Sequence, residues 1–213
     1  MIAAFLPVTT AKYWYFTAYL GMYLFSPFLV YAINNMPRHL VRNLLFCILA
    51  VFCILPTILN RDPFWIHSGY STLWLIVLFM VGAYIKKYNV LQSNSKRMLF
   101  LLYTGAVIIV WLIKYASEFL CFSITGTVQI QNLFISYTSP LILAEAVALV
   151  LLFSKLQFSA QLSKLIGKVA PAAFGVYLLH AHPLIWIHLL QDYFLSFGEL
   201  STAYFYVRSF CPQ

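Results

Sequence analysis

Acid is the scarcest chemistry in this chain: five Asp and Glu residues stand against thirteen Lys and Arg in 213, and only 8% of residues are charged at all. A soluble domain carries roughly 25% charged residues. With 63% hydrophobic residues and a mean hydropathy of +0.87, this chain is too apolar to be one. Missing motifs exclude further classes. There is no Gly-rich phosphate loop, no Ser-His-Asp order and no basic stripe interleaved with aromatics, so nucleic acid is not an expected partner. No pair among the four cysteines has metal-ligand spacing, and no metal is expected. Cys47 and Cys53 lie inside an apolar run and read as small core residues, while Cys121 and Cys211 could make at most one bridge. Met1 to Pro7 lacks the basic start of a signal peptide. No internal repeat and no soluble domain interrupts the sequence.

What is present is hydrocarbon. Six apolar segments, Trp14–Ile33, Leu40–Leu59, Gly69–Ile85, Met98–Ala116, Thr138–Phe153 and Val169–Leu190, approach the ~20 residues that a spanning helix needs. They predict an all-α polytopic membrane protein of about six transmembrane helices, one membrane domain over residues 1–213 with lipid as its surroundings. Basic residues of alternate loops set the orientation. Arg38, Arg42, Lys86, Lys87, Lys96, Arg97, Lys155, Lys164 and Lys168 collect on one side, against Lys12, Arg61, Lys114 and Arg208 on the other, so the first side is expected to be cytoplasmic. Asp62, Glu118, Asp192 and Glu199 fall on the second side. This puts the N-terminus outside with no signal to carry it there. Either a short N-tail is translocated or the chain is part of a longer protein with an odd number of preceding helices.

Polar groups inside a span are costly and tend to be kept for function. Val169 to Leu190 is free of formal charge yet carries His180, His182, Pro183 and His188. His180 and His182, two apart, lie about 200° around a helix axis, so a regular helix cannot aim both at one metal. Pro183 lacks an N–H and should leave the carbonyl of Leu179 without its usual partner, kinking the helix. With Tyr177 one turn before His180, these groups either line a functional cavity or hydrogen-bond neighbouring helices and hold the bundle together. His188 reads as interfacial. Glu145 is the only acid inside an expected span and should be protonated or paired. Its expected depth, ~10 Å, is compatible with a contact to His182 at ~12 Å.

The other dense segment runs from Tyr13 to Pro27. Tyr13, Trp14 and Tyr15 fit an interfacial aromatic belt. Tyr15, Tyr19 and Tyr23, at i, i+4, i+8, share one face entering the bilayer and form either a packing stripe or a sugar- or acyl-binding wall. Arg38, His39, Arg42, Lys86 and Lys87 read as positive-inside anchors, with neutralising a phosphate-bearing donor as the alternative.

Tyr13-Trp14-Tyr15-Phe16-Thr17-Ala18-Tyr19 through Tyr23-Leu24-Phe25-Ser26-Pro27-Phe28-Leu29, together with Phe174-Gly175-Val176-Tyr177-Leu178-Leu179-His180-Ala181-His182-Pro183-Leu184, resembles the acyltransferase 3 family of integral membrane proteins. The nearest branch is the bacterial surface-polysaccharide O-acetyltransferases, and Tyr137-Thr138-Ser139-Pro140 fits it more loosely. The resemblance implies a multi-pass protein of the bacterial inner membrane. It implies transfer of an acyl group, commonly acetyl from cytoplasmic acetyl-CoA, to a hydroxyl of a glycan or other envelope acceptor. Family members have about ten spanning helices, so three would precede these six and one follow, an odd number in front as the topology requires. The family's main histidine, in its first helix after a basic residue, has no counterpart ahead of Trp14, and its arginine-rich loop is absent. His180 matches the late Tyr-Leu-x-His element and is the remaining candidate for catalysis, with Tyr177, His182, Glu145, Tyr19 and Tyr23 expected at the substrate. A transporter or flippase-like carrier using Glu145 and the histidines is the alternative, and an inactive membrane partner a third.

Overall fold

The computed structural model describes residues 13–59, 61–90, 94–126, 135–180, 182 and 185, and every regular element among them is helical. The chain falls into two compact units, Trp14–Gln157 and a smaller one of Met1–Tyr13 with Phe158–Gln213.

The larger unit starts with α1, Trp14–Asn35. Pro27 sits in its interior and has no N–H to give the carbonyl of Tyr23. The hydroxyl of Ser26 donates to that carbonyl at 2.7 Å, so a 22-residue apolar helix keeps its ladder satisfied across the proline. Removing the hydroxyl in Ser26→Ala should cost about 1 kcal/mol, read as a lower melting temperature in detergent; an unchanged melt would show that the carbonyl finds another donor.

Next come α2, Arg38–Leu49, a π turn at Ala50–Ile54 and α3, Leu55–Leu59. Pro56 explains the interruption. In a regular helix its ring would press on the carbonyl of Phe52, four residues back. The ladder widens instead, with the amide of Leu55 donating to Ala50, and the Thr57 hydroxyl donates to Cys53 at 2.8 Å. Cys53 is buried there, but Cys47 is exposed, contrary to its expected core position. Six residues apart, the two lie on different faces of the helix.

α4, Thr72–Tyr88, is capped by the Ser71 hydroxyl, which accepts from the amide of Trp74, and ends at Asn89 in the left-handed region. It begins three residues later than expected because Gly69, at φ +102°, cannot be helical. α5, Lys96–Thr125, runs well past the expected end at Ala116. Lys114 and Glu118, 3.9 Å apart at i, i+4, neutralise each other, and the helix stops only where Gly126 turns left-handed. α6, Pro140–Ser154, has Pro140 at its start, where a missing N–H costs nothing.

Two buried clusters tie this unit together. Ile33, Val41, Leu45 and Met80 join α1, α2 and α4. Cys53, Ile66, Trp74 and Val77 join the π turn, the following loop and α4, with Leu143 of α6 packed against them.

In the smaller unit, α7, Ala160–Val169, and α8, Ala172–His180, meet at a 42° bend. The segment expected to start at Val169 begins its helix at Ala172 instead. Pro171 sets the bend: it has no N–H to give the carbonyl of Gly167 and favours a helix start, while Ala170 before it stays helical and still donates to Ile166.

By length and composition, α1, Arg38–Leu59 and α5 can each cross a membrane, and the α7–α8 pair qualifies as a fourth span if counted as one. α4 and α6, at 17 and 15 residues, fall short of the ~20 required. The chain is thus an all-helical polytopic membrane protein, although length alone does not deliver six spans.

Candidate functional site

The two ends of the larger unit differ in chemistry. At one end the charges are basic. Lys87 Nζ donates to the carbonyls of Ile33 at 2.6 Å and Asn34 at 3.3 Å, stitching α4 to the end of α1. Arg38 and Lys87 both lie over the Tyr88 ring, 5.3 and 5.1 Å from its centre. Lys155 Nζ donates to the carbonyl of Asn94 at 2.5 Å. These are anchoring roles, and they leave Arg42 and Lys86 exposed on α2 and α4.

At the other end the chemistry is aromatic and hydroxyl. Asp62 organises residues 62–70: its two carboxylate oxygens accept from the amides of Ile66 at 2.9 Å and His67 at 2.5 Å. Ile66 is thereby driven into the core while Trp65 stands 80% exposed. Trp65, His67 and Ser68 have φ of 54°, 52° and 56°, a left-handed conformation that non-glycine residues adopt at a cost of about 1 kcal/mol or more each. Such strain held in a loop by a carboxylate and a buried anchor is characteristic of functional sites. Gly69 is required where it stands, since a Cβ there would lie 2.7 Å from that of Tyr137.

The loop delivers Tyr70 between two rings. Trp14 at the start of α1 lies 4.4 Å away edge-on, and Tyr137, before α6, lies 5.1 Å away edge-on. Beside them Ser136 pairs with Thr138 at 2.8 Å and donates to the carbonyl of Ser68. The hydrogen bond with Tyr137, and then partial burial, hold the Tyr70 phenol above its ordinary 10.0. A group raised on folding contributes stability that is complete below its unfolded value and is lost as pH climbs through the folded one. The near-UV circular dichroism of this cluster should therefore fall only above about pH 10. Tyr70→Phe should abolish that alkaline loss; an unaltered alkaline transition would assign it elsewhere.

Below this end are oxygens without partners. Thr17 Oγ1, Ser139 Oγ and Glu145 Oε1 are buried and meet no hydrogen-bond partner among the described residues. Thr17 is about 5 Å along α1 from Trp14, Ser139 stands at the N-cap position of α6 with its hydroxyl making no capping bond, and Glu145 lies about 9 Å further along that helix. A buried oxygen left unpaired costs roughly 1–3 kcal/mol, and three in one unit suit a polar ligand or water.

Tyr19 and Tyr23, expected at the substrate, form a ladder with Tyr15: neighbouring rings stack at 6.2 and 6.4 Å. Tyr19 and Tyr23 are 45% and 60% exposed, so within this unit the ladder is a presented surface and not a packing stripe.

The remaining expected residues, Tyr177, His180 and His182, belong to the smaller unit. The Tyr177 ring meets those of Tyr13 and Phe174 at 6.3 and 6.1 Å. His180 ends α8 and is exposed, while His182 is half-buried. The amide of His182 donates to the carbonyl of Leu179 at 3.1 Å. The open carbonyl expected beside the histidines is therefore closed, because the chain tightens into an i to i−3 bond before reaching Pro183. Pro183 and His188 lie outside the described residues, as does Cys211.

Asp62, Trp65, Tyr70, Thr17 and Ser139 were not singled out from sequence. Asn60-Arg61-Asp62-Pro63 gave the one available signal, an Asp-Pro turn start, but nothing in Trp-Ile-His-Ser announces left-handed backbone.

In comparison with known proteins, a family model described as an acyltransferase domain, that of the acyltransferase 3 family, matches residues 2–209. No curated protein and no solved structure matches the chain.

Proposed function

Because the chain belongs to the acyltransferase 3 family of membrane proteins, we propose that it takes part in moving an acetyl group from acetyl-CoA at the basic end to a hydroxyl of an envelope glycan at the aromatic end. The family match across residues 2–209 carries this reading. The distribution of side chains supports it. Arg42 and Lys86 are exposed cations suited to the phosphates of a CoA donor. Tyr70, Trp14, Trp65 and Tyr137 offer ring faces and edges suited to a sugar. With cations cytoplasmic, the start of α1 faces outward, and the membrane is the bacterial inner one.

In the reaction the acceptor hydroxyl attacks the thioester carbonyl. A new ester C–O bond forms, the C–S bond breaks, and the hydroxyl proton passes through an imidazole base to the departing CoA thiolate. His180 is the imidazole we assign to this reaction, with Tyr177 and His182 beside it in the chain. Glu145, Tyr19 and Tyr23 are assigned to substrate contact, the ladder as an apolar wall with hydroxyl rims. No metal enters the scheme.

Expression of the chain should raise base-labile, ester-linked acetate on the envelope glycan of a host that otherwise lacks it. Unchanged ester content would reject the reading. Uptake of a glycan by proteoliposomes without acetyl-CoA would instead favour a carrier built on Glu145.

A further inference from the structure

α7 is the element that the transfer chemistry leaves unused. Ser159 caps it, its hydroxyl accepting from the amide of Leu162, and no acidic residue lies in its ten positions. Leu162, Leu165, Ile166 and Val169 fall within about 100° of one another around the axis. Lys164 and Lys168, one turn apart, lie with Gln161 on the opposite side. All four apolar side chains are exposed.

The 42° bend at Ala170–Pro171 separates this amphipathic helix from α8, which is apolar and free of formal charge. If α7 were the first half of a straight-through span, Lys164 and Lys168 would both enter hydrocarbon, where a lysine is strongly disfavoured. Laid flat, the helix puts its apolar stripe among acyl chains and both lysines among headgroups. Lys164 and Lys168 also belong to the basic set that marks one side of the membrane.

We infer that Ala160–Val169 is an interfacial helix that docks on the anionic lipid surface of the cytoplasmic leaflet, its leucine, isoleucine and valine stripe inserted and Lys164 and Lys168 paired with lipid phosphates. The occupant is lipid and not a protein because the stripe is short, about 15 Å, and continuous with a helix that enters the bilayer. The inference is independent of which acyl group or acceptor the protein uses.

Single cysteines placed along 160–169 of the full chain, with the native cysteines replaced by serine, can carry nitroxide labels in bilayers of phosphatidylcholine with phosphatidylglycerol. Oxygen collisions should peak at 162, 165, 166 and 169, and collisions with a water-soluble nickel chelate at 161, 164 and 168. Chelate access that decays steadily from 160 to 169 would make the helix half of a span, and access at every position would leave it undocked; either overturns the inference. In the chain with native cysteines, the helix should crosslink to photoactivatable phosphatidylglycerol in preference to phosphatidylcholine by about fivefold per lysine. Lys164→Gln with Lys168→Gln should erase that preference while leaving the membrane level of the protein unchanged. A preference that survives both substitutions would also overturn it.

Discussion

Gly21→Leu should unfold or severely destabilise the larger unit, by about 3 kcal/mol or more. A Cβ on Gly21 of α1 would lie 2.6 Å from Cγ2 and 2.7 Å from Oγ1 of Thr72, at the first residue of α4. Thr72 is β-branched and stiff, so it cannot swing aside as a long side chain would. Ala18, one turn earlier on α1, is buried as well, giving a small-residue seam through which the two backbones approach. The same helices are joined at the far end by Lys87, which fixes their register. Gly21→Ala separates the clash from helix propensity: alanine favours a helix over glycine by about 1 kcal/mol, so any net loss measures the crossing. Thr72→Gly in the same chain should recover most of that loss. Thermal melting in detergent reads all three variants, and a Gly21→Leu protein as stable as the parent would show that α1 and α4 do not meet there.

His180→Ala should lower ester-linked acetate on the acceptor by about a hundredfold, the lower range for loss of a general base, with the amount of protein in the membrane unchanged. His180 is exposed at the end of α8, so its truncation opens no cavity. His182→Ala is the informative companion. The backbone bond from His182 to Leu179 survives that change, because it uses the amide, and any loss of activity then belongs to the imidazole. Unaltered acetylation in His180→Ala would remove this residue from the site.

Much of this architecture was legible in the sequence because hydrocarbon imposes few choices. A long apolar run must close its hydrogen bonds as a helix, and Trp14–Asn35 came out within two residues of expectation. Breaks were less legible. Pro56 and Pro171 were in plain view, but whether a proline kinks a helix, widens it to a π turn or ends it depends on which neighbours take up the freed carbonyls. Lys114 and Glu118 looked like the end of a span and instead pair along a continuing helix. Candidate site residues divided in the same way. Glu145, Tyr19 and Tyr23 stood out by charge or by spacing, whereas Tyr70 and Trp65 are ordinary loop aromatics until Asp62 folds the loop that presents them.

The most direct measurement follows sulfur and acetyl together. The full chain, in sealed proteoliposomes with acetyl-CoA labelled on the acetyl group and an envelope glycan as acceptor, should release one CoA thiol for each acetyl that becomes ester-linked to glycan, and neither product should form without the other. Acetyl-CoA left intact, or glycan crossing the membrane with no thiol released, would contradict the assignment of this chain to acyl transfer.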